Sequence, residues 1–208
     1  MIELKNVSKI LDHQTVLSNV NLVLKSGNIY GFVGRNGSGK SMLFRAISGL
    51  ILPTEGTIII DGKDLKTNIN VNEIGVMIEK PKFLYNLSGF ENLQMLAAIN
   101  KKVDDEHLIE ILKKLHLEDV KDKKYGKYSL GMKQKLGIAQ AIMENQKIII
   151  LDEPFNGLDD SSVDSLRKLL LELKDEGKLV LIATHLKEDI ELLCDEVFRM
   201  DAGKIVIK

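Results

Sequence analysis

The sequence predicts an α/β fold built on a parallel sheet, and three observations carry that expectation. Short apolar runs, "NIYGFVG", "KIIILDE" and "LVLIAT", have the length of strands buried on both faces. Amphipathic helical patterns alternate with them. A glycine-rich loop joins the first run to a helix, at the carboxyl end of a strand where ligands of such sheets bind. Buried strands alternating with helices imply right-handed crossovers.

Taken in order, "IELKNV" and "LSNVNLVLK" alternate as strands of a partly exposed antiparallel sheet. "NIYGFVG" then runs into the glycine loop, and a helix from Gly39 to Ile47 stops at Gly49 and Pro53. "GTIIIDGKDL" is a strand with an Asp61-Gly62 turn, and "EIGVMIE" is a further strand. "SGFE" has capping-box spacing before the helix "NLQMLAAI". Leu108, Ile111, Leu112 and Leu115 mark one face of the next helix, and the basic stretch Lys121 to Lys127 reads as a solvated surface link. "SLGMKQK" opens a helix with an anion-binding front: Ser129 can cap it, Gly131 leaves the backbone open, and Lys133 and Lys135 add positive charge. "KIIILDE" is a buried strand, and Val163, Leu166, Leu169, Leu170 and Leu173 stripe a helix ended by Gly177. "LVLIAT" is buried, and "EVFRMDAGKIVIK" closes as a hairpin. These elements divide 1–208 into an α/β core (1–82 and 145–208) with an inserted helical unit (83–144).

At 208 residues and 23.3 kDa the chain can bury a sizeable core as one domain. A formal net charge of -1 argues against a nucleic-acid partner. Cys194 is the only cysteine, which excludes an internal disulfide, and His13, His107, His116 and His185 show no metal-ligand spacing. Glu3, Lys5 and Lys9 interrupt any signal-like apolar run, and no stretch approaches the ~20 apolar residues of a membrane span. An intracellular protein is expected.

"GRNGSGKS" fits the phosphate-cradling pattern G-x-x-x-x-G-K-[ST]. Gly34, Arg35, Asn36 and Gly37 would wrap a phosphate chain with inward N–H groups. Ser38, Gly39 and the helix start through Met42 would complete the cradle. Lys40 would reach the β- and γ-phosphates, and the Ser41 hydroxyl would ligate Mg²⁺. A nucleoside triphosphate with Mg²⁺ is implied. "IIILDEP" brings Asp152 and Glu153 to a strand end, Asp152 to hold Mg²⁺ and Glu153 to polarise the attacking water. His185, at the end of the next buried strand, could hydrogen-bond the γ-phosphate.

With these pieces in order, the chain resembles the nucleotide-binding subunit of ABC transporters over nearly its full length. The matching motifs are a Walker A at Gly34 to Ser41, a signature-like "SLGMKQ" at Ser129 to Gln134, a Walker B "IIILDE", a D-loop-like "NGLD" at Asn156 to Asp159, and His185 as the switch histidine. The resemblance implies a P-loop NTPase core, a RecA-like parallel sheet with an N-terminal antiparallel β-subdomain, plus an inserted α-helical subdomain. It also implies two subunits facing head to tail, so that Ser129 and Gly131 of one contact the nucleotide held by the other. The partners implied are a second copy or a paralogous ATPase subunit, and a transmembrane permease, with the chain peripheral on the cytoplasmic face of the membrane.

Departures from the family pattern are informative. The usual signature LSGGQ reads "SLGMKQ" here, with Leu130 and Met132 flanking Gly131. The Q-loop glutamine is Glu79, expected at the metal or its water. The aromatic that stacks on adenine falls near Leu11, with His13 the nearest substitute. Glu79 together with "YSLGMKQK" looks like the bacitracin and lantibiotic-immunity branch, whose transporters export antimicrobial peptides. Phe83, Leu84, Tyr85, Leu87 and Phe90 follow Glu79 and would supply both core and the groove for a permease helix. A soluble ABC ATPase of iron–sulfur assembly is the alternative. A P-loop small-molecule kinase fits less well, given the Asp-Glu pair and the signature-like helix start.

Overall fold

The computed structural model describes residues 1–67, 73–79 and 82–207. The order of elements is β1 (Ile2–Leu11), β2 (Gln14–Leu24), β3 (Asn28–Val33), α1 (Lys40–Ile47), β4 (Glu55–Ile60), β5 (Lys63–Asp64) and β6 (Ile74–Met77). Then follow α2 (Gly89–Asn100), α3 (Asp105–Lys114), α4 (Leu130–Ile142), β7 (Ile148–Asp152), α5 (Asp160–Asp175), β8 (Leu179–Ala183), α6 (Lys187–Leu193), β9 (Glu196–Asp201) and β10 (Lys204–Ile207). Among the described residues no helix is long and apolar enough to cross a membrane.

Two sheets result, an antiparallel one in the order β2-β1-β4-β5 and a larger one in the order β10-β9-β3-β8-β7-β6. The strands from β9 to β6 run parallel, and β10 returns antiparallel beside β9 as the predicted hairpin. Every residue of β7 and β8 is buried. Because side chains alternate across a strand, each of these strands feeds two cores. Ile148 and Ile150 join Phe32, Leu43 and Phe44 on the side of α1 and the antiparallel sheet. Ile149 and Leu151 join the helices α2 to α5 on the other side. Phe32 meets Phe44 edge-on at 5.2 Å and Phe198 at 5.4 Å. Pairs of this kind add about 0.5–1.5 kcal/mol each beyond burial.

The middle helices form as the caps predict. Ser88 and Glu91 make a complete capping box on α2, and Asp104 caps α3. Leu108, Ile111 and Leu112 of α3 are buried, with Leu115 just beyond its end. The link from Lys121 to Lys127 differs from the solvated loop expected. Tyr125 within it is buried, and Lys121, Lys123 and Tyr125 bond the backbone of Phe90, Gly89 and Leu87. The lysines stay outside while the aromatic ring anchors the segment.

The helix at the end of the expected insertion also packs on the sheet. Gly75 of β6 lies so close to α4 that a Cβ there would fall 1.6 Å from the Ala141 carbonyl oxygen. Leu136, Ile138, Ala139 and Ile142 of α4 share one apolar cluster with Ile149 and Leu151 of the sheet. The second half of α4 therefore packs on the sheet rather than standing apart from it. This fixes the amino end of α4 relative to the carboxyl ends of β7 and β8.

Candidate functional site

The carboxyl ends of β3, β7 and β8 are neighbours: Phe32 and Asp152 both pair with Ala183. Gly34, Glu153 and Thr184–His185 therefore leave the sheet side by side. A cavity of about 730 Å³ opens above them.

Its floor is the loop between β3 and α1. Gly39 sits at the N-cap of α1 with φ 105, a conformation L side chains rarely adopt. A Cβ there would also come within 3.1 Å of Gly203 Cα and of the Val16 carbonyl. No side chain caps α1, so its first N–H groups stay open to an anion. Lys40 is nearly buried, and its ammonium donates to the Gly34 carbonyl at 2.8 Å and the Arg35 carbonyl at 3.4 Å. Loop carbonyls hold the charge where a phosphate would meet it.

Ser41 Oγ donates to Asp152 Oδ2 at 2.5 Å, joining α1 to β7. A hydroxyl and a carboxylate in contact are oxygen donors of the kind Mg²⁺ prefers. The Ser38 hydroxyl, buried in the same loop, has no partner. The donor set fits a metal–phosphate ligand.

Glu153 takes φ 51 directly after β7, a strained backbone for a non-glycine residue. Its N–H donates to the Ala183 carbonyl at 2.8 Å. Gln134 of α4, itself buried, donates its amide to the Glu153 carbonyl at 2.9 Å and the Pro154 carbonyl at 3.1 Å. These bonds hold the turn that aims the carboxylate. Its Oε2 lies 2.9 Å from Nδ1 of the exposed His185. A carboxylate beside an imidazole at a strand end can take a proton from water and pass it on.

The cavity wall brings together Asn36, Gly37, Ser38, Gly39, Lys40, Ser41, Met42, Glu79, Asp152 and Glu153 of the residues expected from sequence. Gly34 and Arg35 belong to the loop, their carbonyls accepting from Lys40, and His185 reaches the site through Glu153. Leu11 is not in the wall. It is the last residue of β1 before a tight Asp12-His13 turn with both φ values positive, which closes the β1–β2 hairpin. Gln14, Thr15 and Val16 line the cavity instead. Ala202 and Gly203, the turn between β9 and β10, line it too, tied to the loop by Gly203 N–H donating to the Ser38 carbonyl at 2.9 Å. The sequence reading placed the β9–β10 hairpin but put neither its turn nor Gln14 to Val16 at the cavity; the two-residue Asp12-His13 and Ala202-Gly203 spacings were the available signal.

Glu79, expected at the metal, carries an ion pair with Arg45 of α1. Lys80 and Pro81, which follow it, lie outside the described residues. Of the apolar run beyond, Phe83 and Phe90 pack on the core while Leu84 and Tyr85 are exposed.

Ser129 caps α4, its Oγ accepting from Met132 N–H at 3.2 Å. Gly131 packs against the chain's own "NGLD" turn: a Cβ there would meet the Gly157 carbonyl at 2.8 Å. Lys133 does not face the helix front as expected. Its ammonium lies over the rings of Tyr85 and Tyr125, 5.5 and 5.2 Å from their centroids. Next to this turn, Asp159 caps α5, and hydrogen bonds from Ser162 and Ser161 hold its carboxyl down at about 2. Burial pushes the Cys194 thiol up to about 12, away from thiolate chemistry.

Comparisons with known proteins show the family. A family model described as ABC transporter matches residues 17–156. The uncharacterized ABC transporter ATP-binding protein YybJ of Bacillus subtilis (strain 168) is 42% identical over 206 residues, 99% of this chain and 94% of the relative. The bacitracin transport ATP-binding protein BcrA of Enterococcus faecalis is 39% identical over 99% of this chain and 68% of its own length. The lantibiotic transport ATP-binding protein SrtF of Streptococcus pyogenes is 33% identical over 100% of this chain and 90% of its own. Among solved structures, the dimeric ATP-binding cassette MJ0796 in a post-hydrolysis state with ADP and Pi superimposes with a TM-score of 0.92. It is 26% identical, covering 100% of this chain and 97% of that one.

Proposed function

This chain belongs to the ABC transporter family as an ATP-binding, ATP-hydrolysing subunit, and from that premise we propose that it drives a permease exporting antimicrobial peptides or related compounds. Relatives named for bacitracin and for lantibiotic transport support this cargo class over iron–sulfur assembly. The single observation that carries the catalytic reading is the Glu153 turn. A carboxylate on a strained backbone that Gln134 braces, in contact with His185, stands in the same cavity wall as Lys40.

In this reading Lys40 exchanges its loop carbonyls for phosphate oxygens, and the open N–H groups of α1 hold the phosphate chain. Ser41 and Asp152 hold Mg²⁺, which when bound supplies positive charge to the phosphate oxygens. Glu153 accepts the proton of the attacking water, and His185 orients that carboxylate from the rim. Ser129 and Gly131 serve the nucleotide of a partner cassette, so two identical chains in isologous pairing build two sites. The packing of α4 on β6 supports treating 1–208 as one domain, with α2 and α3 as the part inserted into the nucleotide-binding core. Docking on the cytoplasmic face of the membrane would use the exposed Leu84 and Tyr85.

Co-purification from gently solubilised membranes tests the reading. The expected result is a membrane permease whose cells lose resistance to a bacitracin- or lantibiotic-type peptide when Glu153 is changed to Gln. Recovery with a soluble partner alone would contradict it.

A further inference from the structure

The wall of the nucleotide cavity is unbalanced in charge. Among the described residues lining it, Glu79, Asp152 and Glu153 are carboxylates, and Lys40 is the one cationic side chain. Asp152 is met by the Ser41 hydroxyl and Glu153 by His185. Glu79 is met by neither. It leaves β6 with φ 63, and its carboxylate accepts from the guanidinium of Arg45. Arg45 is not part of the wall. Its backbone is fixed at the last turn of α1, where its carbonyl accepts from Ser48 Oγ and from the Ile51 N–H.

As a prop for the fold this pair would do little. The side chains are 35% and 63% exposed, and exposed pairs contribute about 0–1 kcal/mol. Its effect on the cavity is a different matter. A bare carboxylate beside bound nucleotide repels phosphate, and the repulsion grows with the number of phosphate charges. A nucleoside triphosphate feels it more than a diphosphate.

We propose that Arg45 is a positioning residue that holds the Glu79 carboxylate and offsets its charge, and so lets this cavity prefer a nucleoside triphosphate to a diphosphate. The proposal rests on the ATP-site reading above. It makes Arg45 the structural complement of a glutamate at the position where the family has a glutamine. The pair joins α1, which holds the phosphates, to the segment that leads toward the exposed Leu84 and Tyr85.

The test is a set of titrations of the whole protein with Mg²⁺ and either non-hydrolysable adenylyl imidodiphosphate or ADP. Arg45→Ala should weaken the triphosphate analogue by about tenfold and ADP by no more than about twofold. Arg45→Lys should retain most of the affinity. Adding Glu79→Gln to Arg45→Ala should restore triphosphate binding, because no carboxylate is left to offset. The loss should shrink as salt rises. Equal weakening of both nucleotides, no weakening at all, or no rescue by Glu79→Gln would overturn the proposal. Thermal melts of each variant check that a loss of affinity is not a loss of fold. Lys40→Ala separates the two levels: it should abolish analogue binding in every background. Intact binding in Lys40→Ala would instead overturn the phosphate-site reading, and the Arg45 proposal with it.

Discussion

Helices α1 and α4 both begin at a small polar or glycine residue with N–H groups toward solvent, yet the two starts are built differently. At α1 the N-cap is Gly39, no side chain occupies the free N–H groups, and Lys40, Ser41, Asp152 and Glu153 converge around them. At α4 the cap is Ser129, whose own hydroxyl is engaged by Met132, and the next residue, Leu130, is 58% exposed. Lys133 is turned away onto two tyrosine rings. The first start gathers the glycine loop, Lys40 and both carboxylates within one chain. The second has a shaped, exposed front and no catalytic group of its own. The difference fits the proposal that the start of α4 serves the phosphate loop of a partner.

The largest effect expected is at the α1 site. Glu153→Gln keeps the shape of the turn but removes the base, so turnover should fall by ~10²–10⁴-fold while nucleotide still binds. Single-turnover hydrolysis with parallel binding titration measures both, and unchanged turnover would remove Glu153 from that role. A smaller effect is expected at the start of α4. Gly131→Ala places a methyl against the Gly157 carbonyl, which must shift. Overpacking of this kind costs about 1–3 kcal/mol. Denaturant titration reads the cost, and the same variant should lower ATP turnover while leaving monomer binding of ATP near wild type. Loss of monomer binding would break the distinction between the two helix starts.

The smallest effect concerns what anchors α4. Tyr128, immediately before its cap, donates its hydroxyl to the Val120 carbonyl at 2.9 Å, and burial pushes that phenol up to about 12 from the ordinary 10.0. The folded state thus keeps the proton longer than the unfolded chain. Its contribution is fully present below pH 10 and is lost as pH rises from there through about 12. Tyr128→Phe should flatten this alkaline loss of stability, measured by denaturant titration between those pH values. An unchanged slope would exclude Tyr128 as the anchor.

The strands, the phosphate loop and the Asp152-Glu153 pair were legible because each has a local cause. β7 and β8 are unbroken apolar runs, and the cradle needs glycine, lysine and serine at fixed spacing. The capping box at Ser88 was legible for the same reason. What stayed hidden depends on residues far apart in sequence. Arg45 meets Glu79 only after β6 joins the sheet, and Gln134 meets Glu153 only because Gly75 lets α4 lie on β6. The wall of Gln14 to Val16 and Ala202-Gly203 needs two hairpin turns to close together. Lys133 read as added positive charge at the helix front because nothing local announces the two rings beneath it.

The central claim, that the start of α4 completes a partner's site, is tested most directly by mixing two inactive variants. Lys40→Ala disables the phosphate loop, and Ser129→Arg blocks the start of α4 with a bulky charge. In a mixed dimer one of the two composite sites keeps both halves intact. Equal mixing should therefore restore about one quarter of the wild-type ATPase rate from two proteins inactive alone. No recovery at any mixing ratio, with mixed dimers demonstrated by sedimentation, would contradict the account.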